Sequence, residues 1–285
     1  MANRDETMSE GTTSVGRGAV GHSASTKEGQ LMPGVFTDYS AAVSTRLRQL
    51  DELAAAGGLD QAIGLLATAL RDGGVIQAFG TGHSEAFAME LAGRAGGFIP
   101  SHALRLVDLV LLGSRPVTQL GGAEFERDFT VADELYALYD IRPADVFVIA
   151  SNSGANGSTV GMALKAKAEG HPVIAVTSLK HSGGVSSRHP SGKRLFELAD
   201  VVIDNLAPYG DATLEGFDGV AVGAVSSITA AYIAHLLTIG PAARLHAAGS
   251  LPPLYISANV PSGDAHNNDL ENRYGARIKP HAYPR

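Results

Sequence analysis

Val75-Ile-Gln-Ala-Phe-Gly-Thr-Gly-His-Ser84 and Val146-Phe-Val-Ile-Ala-Ser-Asn-Ser-Gly-Ala155 follow one pattern: an apolar, β-prone run ends in a small Gly/Ser/Asn turn, and helix-like sequence follows. A strand that feeds a helix through such a turn leaves backbone N–H groups and hydroxyls at the positive end of a helix dipole, which suits a phosphate. The pair therefore points to an anionic ligand. Two hydroxyl-bearing loops predict one compact phosphate held from two sides.

Working outward, strand and helix alternate, the mark of a doubly wound parallel sheet. Helices are expected from Phe36 to Ala56 and from Leu59 to Arg71, with Leu47, Leu50, Leu53 and Leu66, Leu70 at helical spacing. Strands are expected at Val75–Phe79, Leu104–Leu112, Val146–Ala150, Val173–Thr177 and Val201–Asp204, and helices at Glu85–Ala95, Ala123–Tyr139, Ser158–Glu169 and Gly219–Ile239. The fold class is α/β: a three-layer, doubly wound parallel sheet with N-terminal helices and ligands at the strand carboxyl ends. Residues 1–33, rich in Gly, Ser and Thr without apolar periodicity, read as a disordered tail, and 34–285 as a single domain.

Composition narrows the function. With 45% hydrophobic and 18% charged residues, the 285-residue chain is globular. Its formal charge of −7 gives no basic surface for nucleic acid or an anionic membrane. An anionic substrate would have to be held by hydroxyls, N–H groups and dipoles. Without cysteine there is no disulfide, zinc–thiolate site or thiol nucleophile, and a cytoplasmic enzyme is expected. Gly219 to Gly240 lacks Asp, Glu, Lys and Arg, but its Ala, Gly, Ser and Thr and His235 fit a buried helix and not a membrane span.

A dinucleotide is disfavoured, because Gly80-Thr-Gly82-His-Ser84 is followed by Glu85 where the fingerprint needs its third glycine, and a carboxylate there opposes a pyrophosphate. Neither turn carries the Gly-Lys-Ser/Thr of a Walker loop.

Gly80-Thr-Gly-His-Ser84, Ser151-Asn-Ser-Gly154 and Gly210-Asp-Ala-Thr-Leu-Glu215 resemble the sugar isomerase (SIS) domain proteins. More narrowly, His181-Ser182 with Ser187-Arg-His-Pro-Ser-Gly-Lys193, Ala199-Asp-Val-Val-Ile-Asp-Asn205 and Ser257-Ala-Asn-Val-Pro-Ser-Gly-Asp-Ala-His-Asn267 are similar to a bacterial branch of SIS-domain phosphosugar or phosphoheptose isomerases, over roughly residues 34–280. The resemblance implies that Ser84 in the first loop, beside Gly82, and Ser151 and Ser153 in the second contact the phosphate. Asn152 fills the polar position between the serines, and Asn156 stands where the family usually has Ser or Thr, with an amide that still donates. The alternative is that Ser151 and Ser153 merely cap the following helix.

Isomerising an aldose phosphate needs a base that moves a proton between C1 and C2 and a donor for the neighbouring oxygens. Glu90, six residues beyond Ser84, stands about 9 Å along the helix axis at ~1.5 Å per residue. Glu90-Leu-Ala-Gly-Arg94 resembles the Glu-Leu-x-Gly-Arg segment whose glutamate is catalytic in phosphoheptose isomerases, with a loop-to-glutamate spacing one turn shorter. Its alternative is a surface pair with Arg94. Glu126 is the second carboxylate candidate, and Glu85 reads as a charge favourable to the helix dipole. For the acid, phosphoheptose isomerases use a histidine on the last long helix, yet aligning on His235 puts Ala231 at that site, and His235 itself reads as packed or interfacial. His83 lies in the first phosphate turn, and His181, His189 and His266 lie in branch-typical loops. Some phosphoheptose isomerases bind zinc, but no His-x-x-x-His pair occurs and neither metal nor cofactor is expected.

The resemblance also implies a homodimer or homotetramer with shared active sites. The expected function is aldose–ketose isomerisation of a sugar phosphate through an enediol, with a SIS-type etherase or lyase and a non-catalytic sugar-phosphate sensor as alternatives.

Overall fold

Five short strands stack edge to edge, the three central ones apolar and buried on both sides, the condition for a parallel sheet covered by helices. In the computed structural model, which describes residues 34–121 and 123–278, the sheet consists of β1 (Ile76–Gly80), β2 (Ser101–Leu104), β3 (Val146–Ala150), β4 (Val173–Thr177) and β5 (Val201–Asp204). All neighbours are parallel, in the order β2-β1-β3-β4-β5. The order reverses between β1 and β3, so the crevice of this doubly wound sheet opens at their carboxyl ends. Gly80 pairs with Ala150, and Thr81 and Ser151 leave the sheet side by side. The tail expected over residues 1–33 lies outside the described residues.

The helices are α1 (Val35–Ala55), α2 (Asp60–Arg71), α3 (Glu85–Leu91), α4 (Asp108–Leu111), α5 (Glu124–Arg127), α6 (Val131–Ala137), α7 (Gly157–Ala168), α8 (Leu179–Gly183), α9 (Ser226–Ala247) and α10 (Gly263–Tyr274). On one face, Ile76, Ala78, Val146 and Val148 pack with Leu66 of α2, Phe87 of α3 and Ile233 and Leu237 of α9. The opposite face sets Phe79, Phe147 and Ile149 against Leu135 of α6 and Met162 of α7. Burial of Ile233 and Leu237, both 0% exposed, contributes about 1.5–3 kcal/mol each. No single helix among the described residues is long and apolar enough to cross a membrane.

Four expected elements are corrected. The strand over Leu104–Leu112 is only the end of β2; the apolar run after it makes one helical turn, α4, which buries Leu109 and exposes Leu111. A short apolar run does not separate the two by composition. The helix over Ala123–Tyr139 breaks in two, because the Asp128 carboxylate accepts from the Thr130 N–H at 2.8 Å and its hydroxyl at 2.6 Å, a turn that competes with the helix. The helix expected to Ala95 stops at Leu91, where Ala92 is extended and Gly93 has φ +72°.

The helix over Gly219–Ile239 begins late and ends late. Val220–Ala224 is β7, antiparallel to β6 (Ala212–Phe217) through Asp218 and Gly219, both at positive φ, the Asp-Gly hairpin turn. Asp211 accepts from the N–H groups of Val225 at 3.2 Å and Ser226 at 2.8 Å, which starts α9 after the hairpin.

Candidate functional site

The first loop doubles back sharply. A Cβ on Gly80 would stand 2.1 Å from the Ser84 carbonyl oxygen, and Gly82, at φ +55°, opens the 3-10 turn Gly82–Ser84 that leads into α3. In the second loop Ser151 N–H donates to Val176 at 3.0 Å, continuing the ladder, after which the Ser151 hydroxyl accepts from Gly154 N–H at 3.1 Å and Ser153 from Ala155 N–H at 3.4 Å. The two serines therefore stiffen their own loop. Asn156, extended at φ −69° and ψ 147°, is the residue that begins α7, so the serines are not its cap. The N–H groups of the first turn of α7 have no partner within the helix and face the same end of the sheet.

Between the loops lies a narrow cleft lined by His83, Ser84, Phe87, Ser151, Asn152, Asn205, Ser226 and Ser227. Asn152 Oδ1 accepts from Asn205 Nδ2 at 3.1 Å, and Asn205 Oδ1 accepts from Ala207 N–H at 3.0 Å, which fixes both amides. Asn205 stands in the Ala199–Asn205 motif, but its place in the cleft was not readable from that motif.

One turn further along α3 from Phe87, Glu90 Oε1 meets His235 Nε2 of α9 at 2.8 Å and also pairs with Arg94. The expected surface pair with Arg94 thus exists, and His235 adds to it. Both side chains of the Glu90–His235 pair remain partly open, at 28% and 47% exposure. His235 was expected to be packed or interfacial; within one copy the close approach of α3 and α9 makes it a partner of Glu90, while Ala231 lies one turn earlier.

Glu126 is held elsewhere, with Oε2 accepting from Asn156 Nδ2 at 3.0 Å and Oε1 at 2.5 Å from where a Gly82 Cβ would stand. It thereby touches both loops. Asn156 Oδ1 accepts from Arg188 Nη1 at 2.8 Å, an arginine inside the Ser187–Lys193 motif that sequence reasoning gave no role. Glu85 pairs with Arg105 at 2.8 Å, and that bond holds the guanidinium above its ordinary range.

The remaining histidines separate. His83 lines the cleft. His181 packs edge-on to Tyr209 at 5.1 Å and accepts from Gly210 N–H at 3.2 Å, outside the cleft lining. His189 stands against Phe129 at 5.3 Å, and burial lowers its pKa. His266 Nε2 meets the Leu254 carbonyl at 2.9 Å in a different cavity of about 400 Å³, which Arg71 and Tyr274 also line. Within one copy of the described chain it is not brought to the cleft, because α10 packs beside the end of α2. Among the described residues of one copy no group of three or more His, Asp or Glu side chains is placed to hold a metal ion.

Residues 38–178 match the family model of the SIS domain. The chain is 36% identical over 225 residues to UPF0309 protein lmo0025 of Listeria monocytogenes, covering 78% of this chain and 90% of that one. To UPF0309 protein BH3325 of Halalkalibacterium halodurans it is 36% identical over 248 residues, covering 85% and 99%. Among solved structures it is similar to phosphoheptose isomerase GmhA from Neisseria gonorrhoeae, at 21% identity and a TM-score of 0.48 over 76% of this chain and 100% of that one. With two relatives matched over nine-tenths or more of their length and the SIS model spanning both loops, the chain belongs to the UPF0309 family of bacterial SIS-domain proteins.

Proposed function

We propose that the chain binds a phosphorylated sugar at the β1 and β3 loops and interconverts its aldose and ketose forms through an enediol. The observation that supports this most directly is the Glu90–His235 pair, 2.8 Å apart, with Glu90 on the helix that begins after Ser84 and His235 on α9. Ser84, the Gly82 N–H, Ser151, Ser153 and Asn156 hold the phosphate, with the N-terminal N–H groups of α7. His83, at the rim, neutralises it. The sugar then runs along α3, and six residues at ~1.5 Å each bring the C1–C2 end about 9 Å away, to Glu90.

In this reading the Glu90 carboxylate takes the proton from C2 of the aldose and returns it to C1, while His235 donates to the C1 oxygen and accepts from the C2 hydroxyl. Atoms and charge balance without a cofactor. Arg94, on the same carboxylate oxygen, orients Glu90. On this reading a second copy closes the open flank of the pair in a homodimer or homotetramer.

The test is a thermal-shift screen against C5 to C7 sugar phosphates and amino-sugar phosphates, followed by solvent deuterium incorporation with each hit. Deuterium at C1 or C2 with an aldose–ketose product supports the isomerase. Deuterium with loss of a substituent assigns a lyase, binding without exchange assigns a sensor, and no shift with any compound removes the phosphosugar ligand.

A further inference from the structure

The loop Ser187–Lys193 is built as a clamp on the second phosphate loop. Arg188 N–H donates to Ala155 and Leu195 N–H to Gly154, both at 2.8 Å, so the chain grips the loop on either side. Inside it, Ser187 donates to the Lys193 carbonyl at 2.6 Å and accepts from His189 N–H at 3.1 Å. This scaffold sets the Arg188 guanidinium on Asn156 Oδ1. On the far side, the Ser158 hydroxyl donates to the Glu126 carbonyl at 2.8 Å, which pins the end of α5 to the first turn of α7 and aims the Glu126 carboxylate at the gap between Gly82 and Asn156.

Asn156 is thus oriented by two opposite charges, its oxygen toward a cation and its amide nitrogen toward an anion. A flipped amide would set NH₂ against guanidinium and oxygen against carboxylate, so the orientation is unambiguous. Among the described residues neither Glu126 nor Arg188 has an ion-pair partner of its own. The Glu126 carboxylate lies beside Gly82 of the first loop and on Asn156 after the second, so an anion that reaches Asn156 from between them meets its charge.

We propose that Glu126 and Arg188 set the phosphate affinity of this site from opposite sides of Asn156. Glu126 is an internal anion that the ligand displaces from between the loops, and Arg188 is the cation that the ligand's phosphate then shares with Asn156. The ligand class so selected is the dianionic phosphate monoester, because a neutral sugar gains nothing from Arg188 and does not displace a carboxylate. This rests on the phosphate reading of the two loops.

The two charges predict opposite signs, which a merely structural part for either residue does not. Calorimetric titration of the full chain with ribose 5-phosphate, and separately with inorganic phosphate, is the measurement. Glu126→Gln keeps an oxygen for the Asn156 amide and removes the charge, so binding tightens about fivefold, whereas Arg188→Gln weakens it about tenfold and Arg188→Lys falls between. Weaker binding in Glu126→Gln, or unchanged binding in Arg188→Gln, overturns the proposal; if Ser153→Ala still abolishes binding in that case, the phosphate reading stands. A wild-type chain that binds neither probe defeats both.

Discussion

At the scale of single residues, the role proposed for Glu90 predicts that binding and turnover separate. Glu90→Gln keeps the shape of the side chain and removes the proposed base, so turnover of a sugar phosphate is expected to fall about 10²–10⁴-fold with the ligand-induced thermal shift retained. Unchanged turnover would remove Glu90 from the mechanism. A different residue governs acid stability. His102 on β2 is 7% exposed, its ring edge-on to Tyr139 at 4.7 Å, and burial lowers its pKa to about 4. The unfolded chain takes up this proton near pH 6.5 and the folded chain only near pH 4, so the folded state loses about 3 kcal/mol as pH falls through that window and nothing above it. His102→Leu is expected to remove that part of the fall; equal losses of denaturation midpoint between pH 7 and pH 4.5 in both proteins would contradict it. Glu90 and its pairing with Arg94 were legible in the sequence, but the contact with His235 and the burial of His102 were not. A histidine beside apolar residues does not announce its burial, and Glu90 and His235 lie on helices separated in the chain by four strands of the sheet.

At the scale of elements, the approach of α5 to α7 rests on one glycine. A Cβ on Gly157 would lie 2.1 Å from the Arg127 carbonyl oxygen, backbone that cannot swing aside. Gly157→Ala is therefore expected to push α5 away, lower stability by about 1–3 kcal/mol in a urea titration, and pull Glu126 off Asn156. A variant as stable as wild type would show that α5 is free to yield. The β6–β7 hairpin teaches a different lesson, because its Asp218-Gly219 turn is a short-range signal present in the sequence, overridden in the expectation by the uncharged stretch around it. That stretch has a helical core face from Thr229 to Leu245, with Ala230, Ile233, Ala234 and Leu237 buried. The start of α9, however, is decided by Asp211, fourteen residues before Val225.

For the whole molecule, the C-terminal segment is tied beneath the amino edge of the sheet by Arg277, which pairs with Asp145 and donates to the Gly73 carbonyl at 2.9 Å. Asp145 is fully buried and also accepts from Val75 N–H and Gln77 Nε2, each at 2.9 Å. Arg277→Met leaves that carboxylate without its cation, an expected loss of about 3–5 kcal/mol, seen as a fall of roughly 6–20 °C in melting temperature. A fall of a degree or less would mean that water reaches Asp145. Assembly is the other property at this scale: a sizing column is expected to show a dimer or tetramer, and a monomer would leave the Glu90–His235 flank open and the shared-site reading without support. The sequence by itself determined the parallel sheet, four of its five strands and the two Gly/Ser/Asn loops after β1 and β3, because strand propensity and turn chemistry act over a few neighbouring residues. Only the tertiary structure decided that His235 meets Glu90, that Glu126 and Arg188 share Asn156, and that Arg277 reaches Asp145. Each of those contacts joins residues from separate elements, and a side chain's partner across such a gap is set by how helices pack on the sheet, which no local pattern encodes.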